Sequence, residues 1–310
     1  MPPELLLLQP MMREIENGLD AAYQVHRMSN DSFDPARARH VRAVVTGGAT
    51  GIRDSVFDAL PDLEIIAING VGTDAVNLQR ARDRGVRVTT TPDVLTEDVA
   101  DMAFGLILSV ARRLCVGDRF VKEGQWARRL PTPPLSQRVH GRRLGIVGLG
   151  RIGRAVARRA IGFSMQIAYT DVLEFEGSPY RYEPSLRQLA ADSDFLVLTT
   201  TGGPESRAMI DQRVLEALGP KGALINVSRG SVVDESALVA VLNEGKLGGA
   251  GLDVFCHEPD VPEELLGMPN VVLEPHLASA TVQARLAMGE LVLANLEAHF
   301  AKRGLPSAVV

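Results

Sequence analysis

Short apolar runs alternate with longer amphipathic stretches along almost the whole chain. Apolar runs bounded by turn-forming residues are typical of buried strands, and the stretches between them are typical of helices. The alternation predicts an α/β protein with two Rossmann-like or flavodoxin-like, doubly wound parallel-sheet domains and a cleft between them. The runs interpreted as strands are Leu5–Leu8, Ala43–Thr46, Leu63–Asn69, Val86–Thr90, Leu144–Val147, Gln166–Tyr169, Asp194–Thr199, Ala223–Val227, Gly249–Val254 and Val271–Leu273.

Two helical stretches and a proline-rich segment suggest where the domains meet. Apolar residues recur at alternating spacings of three and one from Val99 to Leu114, which predicts one helix with a single apolar stripe. Prolines interrupt residues 124–141, a segment interpreted as a crossover between the domains. The last helix, predicted over about 281–301, has no strand after it and is expected to return to the first domain. The predicted domains are residues 1–95 plus 283–310, and residues 96–282.

Length and charge narrow the class of protein. A chain of 310 residues is typical of two domains, and its net charge of −5 offers no basic face for nucleic acid. No apolar run approaches the roughly 20 residues that a membrane-spanning helix needs. The two cysteines, Cys115 and Cys256, form no disulfide framework or metal-binding cluster, so no metal is expected and a cytoplasmic location is predicted.

A glycine-rich turn between a predicted strand and a predicted helix indicates a dinucleotide site. Its residues are Gly148, Leu149, Gly150, Arg151, Ile152 and Gly153. The first glycine permits the tight turn, the second lets the backbone approach a pyrophosphate, and the third lets helix pack on strand. Asp171, 23 residues after Gly148, is spaced to bind the ribose 2′-hydroxyl.

The charge of Asp171 also predicts which cofactor is used. A carboxylate there repels a 2′-phosphate, and residues 172–176 contain no arginine to bind one, so NAD is favoured over NADP. Arg158 or Arg159 remains an alternative source of a cation. A second glycine turn, residues 46–52, resembles that of short-chain dehydrogenases, but no tyrosine has the lysine four residues on that those enzymes require. It is interpreted as a turn at the cleft.

Four chemically useful side chains follow predicted strands in the second half of the chain. They are Arg229, Asp253, Glu258 and His276. Ligands of open α/β sheets bind beyond the carboxyl ends of the strands, so these side chains are expected at one site. Arg229 suits a substrate carboxylate, His276 suits proton transfer, and Glu258 suits orientation of the imidazole. Asp253 suits the nicotinamide carboxamide or the domain hinge.

Each of these residues also has a simpler interpretation. An arginine after a strand is often a solvated surface charge, and a Glu-Pro pair is often only a turn. His257, beside Glu258, competes with His276 for the proton-transfer role, although its place in an acidic loop suits a surface residue. The combination of all three residues with a dinucleotide turn supports the reduction of a 2-oxo acid.

At these residues the chain resembles the D-isomer-specific 2-hydroxyacid dehydrogenases, and most of all their glyoxylate/hydroxypyruvate and 2-ketogluconate reductase branch. The resemblance implies that Arg229 anchors the substrate carboxylate, Glu258 orients His276, and His276 is the acid/base. It also implies that the backbone N–H groups of Val71 and Gly72 bind the carboxylate. The segments that carry it are residues 69–74, 96–101, 148–153, 201–206, 226–230, 252–259 and 275–276.

The resemblance further implies a cofactor lining and a homodimer. The dimer would form through the helix and arm at about residues 97–140, with Trp126 either reaching the partner's substrate pocket or packing at the root of the arm. Thr73, Thr90 and Ser164 replace residues that are common in the family. Many members of the branch use NADPH and carry arginines after the second cofactor strand, but no arginine directly follows Asp171 here. The remaining cofactor-lining residues are Thr96, Thr200, Thr201, Val227, Ser228 and Asp253.

These observations give a specific hypothesis. The protein is expected to be an NAD(P)H-dependent reductase of glyoxylate, hydroxypyruvate or 2-ketogluconate, with a substrate-binding domain at 1–95 plus 283–310 and a cofactor domain at 96–282. Two alternatives remain at this point. One is a D-3-phosphoglycerate dehydrogenase without a regulatory domain, and the other is a non-enzymatic NAD-sensing protein built on the same fold.

Overall fold

In the computed structural model, which describes residues 2–310, the chain forms two units, each built around one parallel sheet. Residues up to Leu95 together with Ala280–Val310 form the first unit, and Thr96–Ser279 form the second. The predicted fold class is confirmed, because both units are parallel-sheet α/β structures.

The first unit contains five parallel strands in the order β2-β1-β3-β4-β5. Its strands are β1 (Glu4–Leu7), β2 (Gln24–Arg27), β3 (Val41–Gly47), β4 (Ile65–Asn69) and β5 (Arg87–Thr89). Its helices are α1 (Arg13–Ala22), α2 (Asp54–Asp58), α3 (Leu78–Asp83) and, from the end of the chain, α11 (Val282–Phe300).

Both faces of this sheet are buried because successive side chains of a strand point to opposite faces. Leu5, Val45 and Ile65 pack with residues of α1 and α11 on one face. Leu6, Val44 and Ile66 belong to a second core cluster with residues of α2 and α3 on the other face. Continuous apolar runs of this kind are what a parallel sheet covered on both sides requires.

The second unit contains seven parallel strands in the order β12-β11-β10-β9-β6-β7-β8. Because β6 has β7 on one side and β9 on the other, the strand order reverses beside β6. The strands are β6 (Arg143–Val147), β7 (Gln166–Thr170), β8 (Arg181–Tyr182), β9 (Phe195–Leu198), β10 (Ala223–Asn226), β11 (Gly249–Leu252) and β12 (Val271–Leu273). The helices are α4 (Thr96–Arg112), α5 (Leu114–Lys122), α6 (Arg151–Gly162), α7 (Leu186–Ala191), α8 (Gln212–Leu218), α9 (Glu235–Asn243) and α10 (Glu263–Leu266).

Two details of the predicted elements were wrong. The single helix predicted to reach Leu114 ends at Arg112, because Arg113 adopts a left-handed conformation with φ 54° and a new helix, α5, follows. The edge strands β2 and β8 were not predicted. Between Lys122 and Arg143 the structure describes no helix or strand. The interpretation of residues 124–141 as a crossover between domains was wrong, because the whole segment lies inside the second unit. No helix within residues 2–310 is long and apolar enough to span a membrane.

Candidate active site

Three of the predicted site residues follow three adjacent strands of the second unit. Arg229 lies three residues after β10, Asp253 directly after β11, and His276 three residues after β12. These strands are neighbours in the sheet and run parallel, so their carboxyl ends share one edge. The structure therefore brings to one edge the residues that the sequence placed after separate strands.

His276 and Glu258 form a hydrogen-bonded pair. The imidazole Nδ1 lies 2.7 Å from Glu258 Oε2, and the side chains are 34% and 29% exposed. The backbone N–H of Phe255 donates to the other carboxylate oxygen at 3.1 Å. Burial alone raises the pKa of Glu258, but the His276 hydrogen bond, with the charges of His276 and Arg229, holds that pKa below its usual value. Glu258 is therefore an ionised acceptor that fixes the ring.

Asp253 holds the loop that carries His276. It is 1% exposed, and its two carboxylate oxygens accept from the backbone N–H groups of Leu277 at 2.7 Å and Ala278 at 3.0 Å. Its carbonyl accepts from the N–H of His276 at 2.9 Å, while His276 adopts φ 56°, a region that few residues other than glycine occupy. Burial raises the pKa of Asp253 to about 6. The sequence analysis did not identify this supporting contact.

Arg229 is positioned by a buried amide. Asn226, 1% exposed, donates from Nδ2 to the carbonyl of Arg229 at 2.9 Å, and its Oδ1 accepts from the N–H and the hydroxyl of Ser228. Gly230 lies against the backbone of Phe255, since a Cβ at residue 230 would come within 1.9 Å of the Phe255 carbonyl carbon. The absence of a side chain at residue 230 thus allows the arginine loop to contact the Glu258 loop.

The glycine turn after β6 has the geometry of a phosphate-binding turn. Gly148 has φ 93°, and a Cβ at Gly153 would lie 2.2 Å from the Gly148 carbonyl oxygen, which keeps α6 close to the strand. A Cβ at Gly150, the residue before α6, would meet nothing within 4 Å. That open space beside the helix N-terminus fits the close approach of a pyrophosphate.

Asp171 braces the same turn. Its carboxylate accepts from the backbone N–H groups of Leu149 and Val172, each at 2.7 Å. Both predicted alternative cations are engaged elsewhere: Arg158 and Arg159 form ion pairs with Glu97, and Arg159 also pairs with Asp101. The two residues that follow Asp171, Val172 and Leu173, are exposed.

The other predicted cofactor residues all lie in the second unit. Thr200 approaches the turn, its N–H nitrogen lying 2.8 Å from where a Cβ of Gly148 would stand. Thr199, which the sequence analysis did not single out, donates from its hydroxyl to the Gly148 carbonyl at 2.6 Å. The remaining predicted positions are Arg151 and Ile152 at the start of α6, partly exposed Thr96 at the start of α4, Thr201 after β9, and the buried Val227 and Ser228 after β10.

Four further residues were considered in the sequence analysis. Val71, 40% exposed, and Gly72 lie in the turn after β4 of the first unit. His257, the competitor for proton transfer, is exposed, and Glu258 hydrogen-bonds to His276 instead. Trp126 is 66% exposed in the segment after α5.

Comparisons with known proteins show which family the chain matches. A family model described as D-isomer specific 2-hydroxyacid dehydrogenase, NAD binding domain, matches residues 104–278. Hydroxyphenylpyruvate reductase of Plectranthus scutellarioides is 46% identical over 99% of this chain and 98% of its own length. 2-Ketogluconate reductase of Gluconobacter oxydans is 41% identical over 99% of both chains.

A solved structure extends the likeness to three dimensions. The NADPH-dependent glyoxylate/hydroxypyruvate reductase of Sinorhizobium meliloti, crystallised with NADP and malonate, is 42% identical with a TM-score of 0.93. The alignment covers 100% of this chain and 97% of that one.

The matching family and the named relatives are dehydrogenases or reductases, so the chain is an oxidoreductase. The chain belongs to the D-isomer-specific 2-hydroxyacid dehydrogenase family. The resemblance stated from the sequence is confirmed.

Proposed function

We propose that the protein reduces small 2-oxo acids, such as glyoxylate, hydroxypyruvate or 2-ketogluconate, to D-2-hydroxy acids. The observation that carries this proposal is the His276–Glu258 hydrogen bond at the sheet edge that also bears Arg229. The names of the relatives support the substrate class: they are reductases of hydroxyphenylpyruvate, 2-ketogluconate and glyoxylate/hydroxypyruvate.

The proposed chemistry assigns one task to each side chain. The guanidinium of Arg229 binds the substrate carboxylate through two parallel hydrogen bonds and so fixes the carbonyl. His276 uses Nδ1 for Glu258, which leaves Nε2 to donate a proton to the carbonyl oxygen. Glu258 supplies the negative charge that favours the protonated ring. The backbone N–H groups of Val71 and Gly72 also bind the carboxylate, as two converging amides bind an anion.

The cofactor is held at the glycine turn in this proposal. Gly148, Gly150 and Gly153 with Arg151 and Ile152 cradle the pyrophosphate, and Asp171 binds the adenosine ribose. A reduced nicotinamide, when bound, supplies the hydride for the carbonyl carbon. The residues proposed to line the rest of the cofactor are Thr96, Thr200, Thr201, Val227, Ser228 and Asp253.

We infer that NADH is preferred over NADPH. The carboxylate of Asp171 repels a 2′-phosphate, and Glu174 and Glu176 add negative charge nearby in the sequence. Arg158 and Arg159 pair with acidic residues of α4 and not with the ribose site. The Sinorhizobium relative is NADPH-dependent, so this preference would distinguish the two enzymes.

We also propose that the enzyme is a cytoplasmic homodimer. Both cysteines are free thiols, which suits a reducing compartment. The segment from α5 onward exposes the large apolar side chains of Leu114, Val121, Trp126, Leu130 and Leu135. Contiguous exposed apolar surface is typical of protein–protein contact sites.

The proposed function is tested by measuring initial rates with each cofactor and each acid. Purified protein would be mixed with NADH or NADPH and with glyoxylate, hydroxypyruvate or 2-ketogluconate, and absorbance loss at the reduced-nicotinamide band followed. Faster turnover with NADH supports both the reductase and the role of Asp171. Turnover with NADPH alone would keep the reductase and reject the argument from Asp171. No turnover with any pair would reject the proposed function.

A further inference from the structure

The first unit has a topological switch point, a place in the sheet where the strand order reverses. In the order β2-β1-β3-β4-β5, the chain leaves β1 toward one edge and β3 toward the other. Ligands of open α/β sheets bind beyond the carboxyl ends of the strands at such a point, because the loops from the two central strands diverge there. The crevice between β1 and β3 lies where the chain leaves these strands, at residues 8–12 and at the second glycine turn, residues 46–52.

Gln9 bridges this crevice. Its Oε1 accepts from the hydroxyl of Thr50 at 3.0 Å. The same oxygen lies 1.7 Å from where a Cβ of Gly47 would be, so it occupies the space that a side chain at residue 47 would need. The loop that carries Thr50 is held by Asn30, whose Nδ2 donates to the Thr50 carbonyl at 3.2 Å. Gln9 is partly exposed, and its Nε2 donates no hydrogen bond within residues 2–310. Two N–H donors therefore remain available at the crevice.

The polar character continues toward the proposed carboxylate site. Asn69, at the end of β4, is in register with Gly47 and is 9% exposed. Its Oδ1 is buried and accepts no hydrogen bond within the described part of the chain. Because native structures rarely leave a buried acceptor unpaired, a donor from outside the protein chain is expected here. Val71 follows Asn69 by two residues, which puts the amides of the carboxylate site at the same sheet edge.

Charge limits the chemistry of whatever binds. Residues 8–12 and 46–52 contain no charged side chain, and the next residue, Arg53, pairs with Asp31 at 3.3 Å. A phosphate bound there would lack a cationic partner, whereas hydroxyl groups would both donate to and accept from neutral amides. The crevice therefore suits a neutral, hydroxylated group.

We propose that Gln9, with Thr50 and Asn69 beside it, forms a subsite for hydroxyl groups on the substrate carbons beyond the keto group. The inference rests on the proposed function, with the carboxylate on Val71 and Gly72. Adjacent strands lie about 4.8 Å apart, so the ends of β4 and β1 are about 10 Å apart across β3. The substrate class is hydroxylated 2-oxo acids, such as hydroxypyruvate or a sugar acid, and not phosphorylated ones.

The test compares two substrates that differ by one hydroxyl group. Hydroxypyruvate and pyruvate share every other atom, so the ratio of their kcat/KM values isolates recognition of that hydroxyl. Gln9→Leu has nearly the same size but no hydrogen-bonding group. In Gln9→Leu the ratio of kcat/KM for hydroxypyruvate to kcat/KM for pyruvate is expected to fall roughly tenfold relative to the wild type, because one hydrogen bond to the substrate is lost. Glyoxylate, which has no third carbon, should be turned over at the wild-type rate.

The matched control is Gln79→Leu, an exposed glutamine of α3 in the same unit. It should leave the ratio unchanged. Thr50→Val, which removes the donor to Gln9, should lower the ratio in the same direction and decides the matter if Gln9→Leu fails to fold. An unchanged ratio in these variants, or an equal loss for all three acids, would overturn the subsite while leaving the reductase intact. Absence of turnover in the wild type would reject the proposed function and the subsite with it.

Discussion

The carboxylate of Glu258 and the imidazole of His276 are separated by 18 residues and meet at 2.7 Å. The sequence predicted both residues, because each follows a strand and carries a group suited to proton transfer. The supporting contacts of Asp253 and Asn226 could not be predicted, since they depend on the backbone path of loops that no short-range pattern specifies. Residue types at strand ends thus indicate candidate reacting groups, whereas the groups that position them become visible only in the structure.

Glu258→Gln tests the orienting role. The amide keeps a hydrogen-bond acceptor for Nδ1 but loses the negative charge that favours a protonated ring, so kcat is expected to fall roughly 10- to 100-fold. Steady-state kinetics with hydroxypyruvate would measure the loss, and a fluorescence titration should show unchanged NADH binding. Glu264→Gln makes the same change at an exposed residue of α10 and serves as the control. A wild-type kcat in Glu258→Gln would argue against the pair.

Asp253 makes stability depend on pH. Burial raises its pKa from 3.8 to about 6, so between those values the folded protein holds a proton that the unfolded chain has released. The stability that Asp253 contributes is fully present below its pKa in the unfolded chain, and it is lost as the pH rises through its pKa in the folded protein. Asp253→Asn cannot titrate, and its unfolding free energy should fall less than that of the wild type from pH 4 to pH 6. Urea unfolding at several pH values measures this, and equal slopes would contradict the account.

At the scale of elements, local signatures were predicted well and edge strands poorly. The glycine turn and the buried strands have patterns that a few adjacent residues determine. β2 (Gln24–Arg27) and β8 (Arg181–Tyr182) each pair with a single neighbour and contain polar, exposed residues, so no apolar run marks them. Their pairing depends on the strand beside them, which a local reading of the sequence does not include.

Two glycines of α6 provide a matched test of the turn. Gly153→Ala would place a Cβ 2.2 Å from the Gly148 carbonyl oxygen, so the helix must move away from β6. Gly162→Ala, in the same helix, meets nothing within 4 Å and should stabilise the protein slightly, by up to about 1 kcal/mol. Melting temperature and NADH affinity should both fall in Gly153→Ala and hold in Gly162→Ala. Equal behaviour of the two variants would contradict the packing role of Gly153.

At the scale of the whole molecule, the chain returns to its first unit at the end. α11 packs against β4 and α1, although more than 210 residues separate it from them in sequence. The absence of a strand after this helix was the only signal for that return. The proposed association between copies has a weaker signal in the sequence, because exposed apolar residues become informative only once the fold shows that they lie outside the core.

Val121→Glu tests the proposed dimer. Val121 is 53% exposed on α5, and a carboxylate buried between two copies would cost several kcal/mol without a partner. Sedimentation equilibrium is expected to give twice the chain mass for the wild type and the single chain mass for the variant. Val172→Glu, at a 91% exposed valine after β7, should remain dimeric. A monomeric wild type would reject the proposed assembly.

The most direct test of the account is the turnover of hydroxypyruvate by His276→Ala. Loss of the proton donor is expected to lower kcat at least roughly 100-fold while NADH still binds with wild-type affinity. His257→Ala, which removes the neighbouring exposed imidazole, should retain wild-type turnover. If His276→Ala reduced hydroxypyruvate as fast as the wild type, His276 would not be the proton donor and the proposed mechanism would be wrong.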